Sequence, residues 1–165
     1  MKTKLKKYIK EILSFIFILL IFSNALSYYR ATSLNKEKLN ISNITLIDNT
    51  QFKINNDKPT LVHFWATWCP TCKIEAQNIQ SLSKDYEVLT IAVSSKGDEN
   101  IQRYLKEHNL NFKVFNDIDG AYARKFNISV FPTTLIYDKD KNVRFSEVGY
   151  TSTWGLTLRM WWANI

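Results

Sequence analysis

Trp68-Cys69-Pro70-Thr71-Cys72 follows an apolar run over residues 60–66 and precedes a polar segment from Lys73 that has helical character. The cysteines are the only two in the 165-residue chain, and two residues separate them. A Cys-x-x-Cys pair at a strand-to-helix junction predicts a redox-active dithiol. A purely structural disulfide is the alternative, but a bridge across so short a loop removes little entropy from the unfolded chain.

The predicted helix gives the two cysteines different roles. At the helix start, free backbone N–H groups and the positive end of the helix dipole favour the thiolate of Cys69, the form that attacks a disulfide. Cys72 lies one turn further along the same face, where it can resolve the mixed disulfide. Pro70 suits the first helical turn, where its missing N–H costs nothing.

Metal and haem binding are the other uses of such a pair. A structural zinc site draws four ligands, and only His63 and His108 remain to complete one. Covalent haem attachment needs a histidine directly after the second cysteine, which this sequence lacks. Two thiolates also suit Cu(I), although Met1 and Met160 are remote from the motif in sequence. We therefore predict no metal and no cofactor beyond a Cys69–Cys72 disulfide, and keep a Cu(I)-binding protein as the non-enzymatic alternative.

The N-terminal segment predicts export. Five lysines and one glutamate in residues 1–11 precede a strongly apolar run over residues 12–22. These lysines account for much of the net charge of +7, and the other charges are of mixed sign, which excludes a nucleic-acid-binding face. Because a basic flank keeps the N-terminus in the cytoplasm, the chain after the apolar run is exported.

This segment is either a cleaved signal peptide or a lasting anchor. Small residues near Ala25 suit cleavage. Tyr8 and Tyr28-Tyr29 bracket about 33 Å of helix, the span of a bilayer with aromatic residues at both interfaces, and favour an anchor. We assign residues 1–29 to a signal anchor that crosses the inner membrane once through residues 8–29, residues 30–43 to a polar linker, and residues 44–165 to a domain in the periplasm or otherwise exported.

Hydrophobic patterning predicts an N-terminal hairpin over residues 44–54 and then the order β-α-β-α-β-α-β-β-α. The predicted strands are 60–66, 87–93, 112–115, 130–137 and 143–149, and the predicted helices run from the cysteines to about 83, over 98–108, over 121–126 and from 152. This order indicates a mixed central sheet with helices on both faces. We expect the last helix to bury one apolar stripe: Trp154, Leu158, Trp161, Trp162 and Ile165. The alternative is that these tryptophans contact a membrane interface or a partner.

The chain strongly resembles the thioredoxin superfamily in Phe64–Cys72, in Phe131-Pro132-Thr133 and in Gly149. Its anchor, its extra helix and strand near residues 98–115, and Glu75 are similar to the exported TlpA/ResA-like branch. The tail over 148–156 is similar to membrane-anchored protein disulfide oxidoreductases of the copper-sensitivity-suppressor type. The resemblance covers residues 44–165 and implies a thioredoxin-like α/β fold.

By this resemblance, Cys69 is the nucleophile and Cys72 the resolving thiol. Pro132 matches a cis-proline that faces the dithiol and leaves the backbone of Phe131 free to pair with an extended substrate. A trans-proline that opens an edge strand is the alternative. We assign substrate binding to residues of the motif and of this loop: Trp68, Pro70, Thr71 and Phe131.

Two further residues are candidates for proton transfer. Glu75 stands where the TlpA/ResA-like branch has an acidic residue that acts on the dithiol, one turn after Cys72; its alternative role is to complement the positive helix end. His63 lies six residues before Cys69, where thioredoxin has a buried aspartate. Its alternative role is that of a hydrogen-bonded core side chain.

We therefore predict an exported thiol-disulfide oxidoreductase that acts on protein cysteines, with Cys69, Cys72, Glu75 and Pro132 as its catalytic residues. The branch that it resembles mostly reduces disulfides and is recharged by a membrane redox partner. A reductant is the expected direction, and a disulfide-forming oxidant is the alternative.

Overall fold

A computed structural model of the chain describes residues 2–41 and 44–165, so residues 42 and 43 of the predicted linker lie outside it. The helices are α1 (Lys2–Ala31), α2 (Pro70–Leu82), α3 (Asp98–Glu107), α4 (Ala121–Lys125) and α5 (Thr153–Ala163). The strands are β1 (Ile44–Thr45), β2 (Gln51–Phe52), β3 (Thr60–Trp65), β4 (Glu87–Val93), β5 (Val114–Asp117), β6 (Thr133–Tyr137) and β7 (Val143–Val148).

Strands β3 to β7 form one mixed sheet in the order β5-β4-β3-β6-β7. The central strand, β3, is parallel to β4 and antiparallel to β6. At the two ends, β5 joins β4 in parallel and β7 joins β6 antiparallel. All six residues of β3 are buried, because this apolar strand is covered on both faces. The predicted mixed sheet is confirmed.

The predicted strand limits needed small corrections. The N-terminal hairpin forms with Ile44 opposite Phe52. Strand β5 begins at Val114 and not at residue 112, and β6 begins at Thr133 and not at residue 130. The later start of β6 follows from Pro132, which has no N–H to give to a neighbouring strand.

Two hydrophobic clusters cover the two faces of the sheet. The first lies under α2, α3 and α5 and contains Leu61, Trp65 and both cysteines. The second lies on the opposite face, against α4 and the N-terminal segment, and contains Val62 and Phe64. Successive residues of β3 thus point to opposite faces, and the cysteine motif continues from the end of that strand over the first cluster.

Helix α1 leads directly into the domain. Its segment Tyr8–Ala31 is long and apolar enough to cross a membrane, and none of its apolar window is buried in the protein. The predicted polar linker, residues 30–43, is not separate from the domain over its described residues 30–41. Leu34, Leu39 and Ile41 are buried in the second cluster, because these apolar side chains interrupt the polar stretch and cover the sheet.

The predicted orientation of α5 is wrong. Its buried residues are Leu156, Met160 and Ala163, and the tryptophan-bearing stripe faces outward. Both sets of residues have helical spacing, so periodicity alone does not say which face packs on the sheet.

Candidate active site

The cysteine motif forms the start of α2. Cys69 is the N-cap residue and Pro70 is the first helical residue. The Sγ atom of Cys69 accepts a hydrogen bond from the backbone N–H of Cys72 at 3.1 Å. Cys69 and Cys72 form a disulfide with their Cα atoms 5.3 Å apart. The first sulfur therefore lies against the free N–H groups that stabilise a thiolate.

Both cysteines are largely buried, whereas the residues around them are exposed. Cys69 keeps 6% of its surface exposed and Cys72 keeps 2%. Around them, Trp68 is 61% exposed, and Pro70 and Thr71 are exposed as well. The disulfide is therefore mostly covered, while the residues around it form a surface that a substrate can contact.

The loop before β6 lies beside this motif. The Phe131–Pro132 peptide bond is cis, as predicted. The Phe131 ring packs edge-on against Trp68, with ring centroids 5.7 Å apart, and the indole N–H of Trp68 donates to the Ser94 carbonyl at 3.1 Å. Among the described residues, the backbone N–H and C=O of Phe131 have no hydrogen-bond partner. This backbone is thus available to an extended peptide.

Glu75 is fully buried on the cysteine face of α2. Its Oε1 atom accepts a hydrogen bond from the backbone N–H of Thr151 at 3.1 Å, and its buried Oε2 atom has no partner in the described part of the chain. Burial raises the pKa of Glu75 to about 8, and the negative charge of Glu147 adds to this rise, while the Thr151 bond opposes it. Glu75 therefore carries a proton at neutral pH and does not complement the helix end with a charge.

An ion pair near Glu75 was not evident from the sequence. Arg159 Nε lies 2.7 Å from Glu147 Oε1, and Arg159 also donates to the Gly155 carbonyl at 2.9 Å. Glu147 belongs to β7 and Arg159 to α5, so only the folded chain brings them together. Because this pair partly neutralises Glu147, it limits the effect of that charge on Glu75.

His63 lies on β3, on the face of the sheet that α2 covers. Its Nδ1 atom is 2.9 Å from Thr134 Oγ1 on the paired strand β6. Burial lowers the pKa of His63 to about 3, so the ring is neutral at pH 7 and is a weak proton acceptor. These contacts favour the hydrogen-bonded core role over the proton relay.

A metal site needs several ligand side chains close together. Across residues 2–41 and 44–165, no group of three or more His, Cys, Asp or Glu side chains is arranged to hold a metal ion. The site consists of a disulfide at a helix start, an open peptide backbone beside it, and a buried carboxylic acid one turn further along.

Comparisons with known proteins agree with this geometry. The AhpC/TSA family model matches residues 30–146. A "Thioredoxin-like protein" of Haemophilus influenzae is 33% identical over 167 residues, which cover 98% of this chain and 98% of that protein. The "Thiol-disulfide oxidoreductase ResA" of Bacillus cereus is 24% identical over 142 residues, 78% of this chain and 82% of that protein.

Solved structures show the same fold. The crystal structure of StoA from Bacillus subtilis superposes with a TM-score of 0.62 at 23% identity, covering 72% of this chain and 93% of that chain. The predicted thioredoxin-like α/β fold and the resemblance to ResA-like proteins are confirmed. The finer likeness to the copper-sensitivity-suppressor type stays a prediction.

Proposed function

This chain belongs to the AhpC/TSA family, and on that premise we propose that it is an exported, membrane-anchored thiol-disulfide oxidoreductase acting on protein cysteines. The observation that carries the proposal is the Cys69–Cys72 disulfide at the start of α2. The open backbone of Phe131 next to Trp68 supports a protein substrate, because it offers an extended segment a strand-like pairing partner.

In the reducing direction, the Cys69 thiolate attacks one sulfur of a substrate disulfide. A mixed disulfide forms and one substrate thiolate leaves. The Cys72 thiolate then attacks Cys69 Sγ, which releases the second substrate thiolate and closes the Cys69–Cys72 disulfide. Two electrons pass from the dithiol to the substrate, and the oxidising direction is the reverse of these steps.

Glu75 supplies the proton that this cycle needs at Cys72. When a reductant opens the protein disulfide at Cys69, Cys72 leaves as a thiolate, and protonated Glu75 donates its proton to it. When Cys72 later attacks, the Glu75 carboxylate takes this proton back. The pKa of Glu75, raised by burial to about 8, suits a group that exchanges a proton with a thiol near neutral pH.

We propose that the chain works as a reductant that a membrane redox partner recharges. The resemblance to the TlpA/ResA-like branch supports this direction. A reduction potential of about −270 mV, measured against glutathione, would agree with a reductant. A potential of about −120 mV would make the chain an oxidant.

Helix α1 supports the proposed location. Its segment Tyr8–Ala31 can span a bilayer, and lysines precede it, which favours a cytoplasmic N-terminus and a periplasmic domain. The proposed arrangement is a single crossing of the inner membrane.

The test uses the full chain in detergent with insulin as the disulfide substrate. We expect Cys69→Ser to abolish reduction and Cys72→Ser to accumulate a mixed disulfide at Cys69, whereas Ile74→Ala, an exposed change on the same helix, keeps the wild-type rate. Reduction that survives in Cys69→Ser would contradict the proposal. Tight Cu(I) binding by a chain without exchange activity would favour the metal-binding alternative.

A further inference from the structure

Helix α5 presents an apolar face to the outside of the domain. Its outer residues and the C-terminal residue that follows the helix are 57–86% exposed: Trp154, Leu158, Trp161, Trp162 and, beyond the helix, Ile165. The opposite face is fixed by Leu156 and Met160, both fully buried, and by a hydrogen bond from Thr153 Oγ1 to Asn78 Oδ1 at 2.9 Å. The helix therefore cannot rotate to bury its tryptophans without leaving the core.

This helix lies beside the end of the membrane anchor. A cavity of about 570 Å³ separates the two helices, and it is lined by Ser23 and Ser27 of α1 and by Gly155 and Arg159 of α5. Ser27 Oγ also accepts a hydrogen bond from the Val148 backbone N–H at 3.0 Å, which holds the anchor against β7.

The contact between Ser27 and Val148 lies at the depth proposed for the surface of the bilayer. Tyr28 and Tyr29 follow the apolar run of α1 and are 76% and 74% exposed, as expected of aromatic side chains at a membrane interface. Helix α5 thus lies where α1 leaves the lipid.

We infer that the outer face of α5 inserts into the headgroup region of the same bilayer that α1 crosses. This inference rests on the proposed membrane anchoring and adds a second point of attachment. Tryptophan favours this region, because its ring pairs a large apolar body with one N–H donor.

Charge and shape favour lipid over a protein segment as the occupant. Thr153–Ala163 contains no acidic residue, and its one charged residue is Arg159, so the helix offers nothing that an anionic lipid surface would repel. The outer residues stand on a convex helix face beside a membrane-spanning helix, where apolar and aromatic side chains can enter the headgroup region without a groove to receive them.

The two attachments together orient the domain. A single membrane-spanning helix leaves the domain free to rotate and tilt together with α1, whereas a second contact through α5 holds one side of the domain on the membrane. The catalytic motif then keeps a constant height and direction above the lipid.

The test follows tryptophan fluorescence of the full chain in phosphatidylethanolamine–phosphatidylglycerol vesicles. The background variant Trp68→Phe leaves the α5 tryptophans and Trp65, which is 2% exposed and serves as an internal standard. We expect lipids brominated close to the headgroup to quench the α5 emission more than lipids brominated near the chain ends. In the vesicles, acrylamide should quench the α5 emission much less than it quenches free tryptophan in the same buffer.

A matched control removes the outer indoles. In Trp154→Phe, Trp161→Phe and Trp162→Phe combined, only Trp65 remains on the Trp68→Phe background, and lipid quenching should disappear. Acrylamide quenching in vesicles as strong as that of free tryptophan, without bromine quenching, would overturn the inference. Protection that grows with the protein-to-lipid ratio would assign the face to a second copy of the chain and would overturn it too.

The outcome separates this inference from the proposed function. Insulin reduction by the wild type and by Cys69→Ser is measured in the same vesicles and reports on exchange alone. A chain that remains in the supernatant after vesicle sedimentation would overturn the anchor and the inference together, while exchange activity could persist.

Discussion

Thr151 donates its backbone N–H to Glu75 Oε1 at 3.1 Å and thereby connects the cysteine-bearing helix α2 to the segment that enters α5. The second carboxyl oxygen has no such donor among the described residues. A carboxyl group with one donor in a buried setting favours its neutral form, because a single hydrogen bond does not replace the water that an anion loses. The protonation state of Glu75 therefore depends on how the segment that contains Thr151 packs against α2.

Glu75 and His63 are expected to give the stability of the protein opposite pH dependences. The pKa of Glu75 is about 8 in the folded protein, and its ordinary value is 4.5. The stability that Glu75 contributes is therefore complete below pH 4.5 and is lost as the pH rises toward 8. The pKa of His63 is about 3 when folded and 6.5 ordinarily, so its contribution is complete above pH 6.5 and is lost as the pH falls toward 3. Each slope is at most about 1.4 kcal/mol per pH unit.

The two slopes oppose each other between pH 4.5 and 6.5, and only the Glu75 slope remains from 6.5 to 8. We expect urea unfolding to show a decline in stability above pH 6.5 that Glu75→Gln removes. Equal slopes for the wild type and Glu75→Gln in that range would contradict a buried, protonated Glu75.

The Glu147–Arg159 ion pair should adjust the pKa of Glu75, which burial raises most. In Glu147→Gln, the negative charge is lost and Arg159 is left unpaired, so the pKa of Glu75 should fall. In Arg159→Gln, Glu147 is left without its cation, so the pKa of Glu75 should rise. Carbon NMR of labelled glutamate, assigned by the signal missing in Glu75→Gln, measures both shifts. Shifts of the same sign in the two variants would show that folding changes, and not charge, move the titration.

The bond between His63 and Thr134 should contribute to stability. Thr134→Val keeps the shape of the side chain but leaves His63 Nδ1 without its partner, and we expect a loss of about 1–3 kcal/mol in unfolding free energy. Thr134→Ser keeps the hydroxyl and is the control. If Thr134→Val and Thr134→Ser were equally stable, the hydrogen bond would contribute nothing measurable.

The orientation of α5 predicts unequal effects of two neighbouring truncations. Met160→Ala should destabilise the domain by about 2–5 kcal/mol, because Met160 is fully buried. Leu158→Ala should change stability in the same detergent by less than about 0.5 kcal/mol, because Leu158 is 57% exposed. If Leu158→Ala were the more destabilising of the two changes, the stripe that contains Leu158 and the tryptophans would be the buried face, as the sequence pattern predicts.

What the sequence predicted well was local. The positions of Cys69 and Pro70 at a helix start follow from one short motif, and the cis bond before Pro132 follows from a family pattern. The setting of Glu75 was not predictable, because its donor Thr151 is 76 residues away and no spacing rule connects them.

Two differences between prediction and structure share a physical cause. In the segment after α1, most residues are polar, and the few apolar residues, such as Leu39, are the buried ones. In α5, apolar residues occupy both faces of the helix. In both places, packing against the sheet determines which side chains are buried. The composition along the chain does not predict that packing.

The contact between Ser27 and Val148 has a consequence for assembly. Strand β7 ends the sheet, and a bare final strand offers its peptide groups to any other strand it meets. Helix α1 lies along that edge, where Ser27 accepts the Val148 N–H, and so covers part of the open border of the sheet. A domain without this helix would leave that border open to strands of other copies, so we expect α1 to protect the sheet against edge-to-edge aggregation.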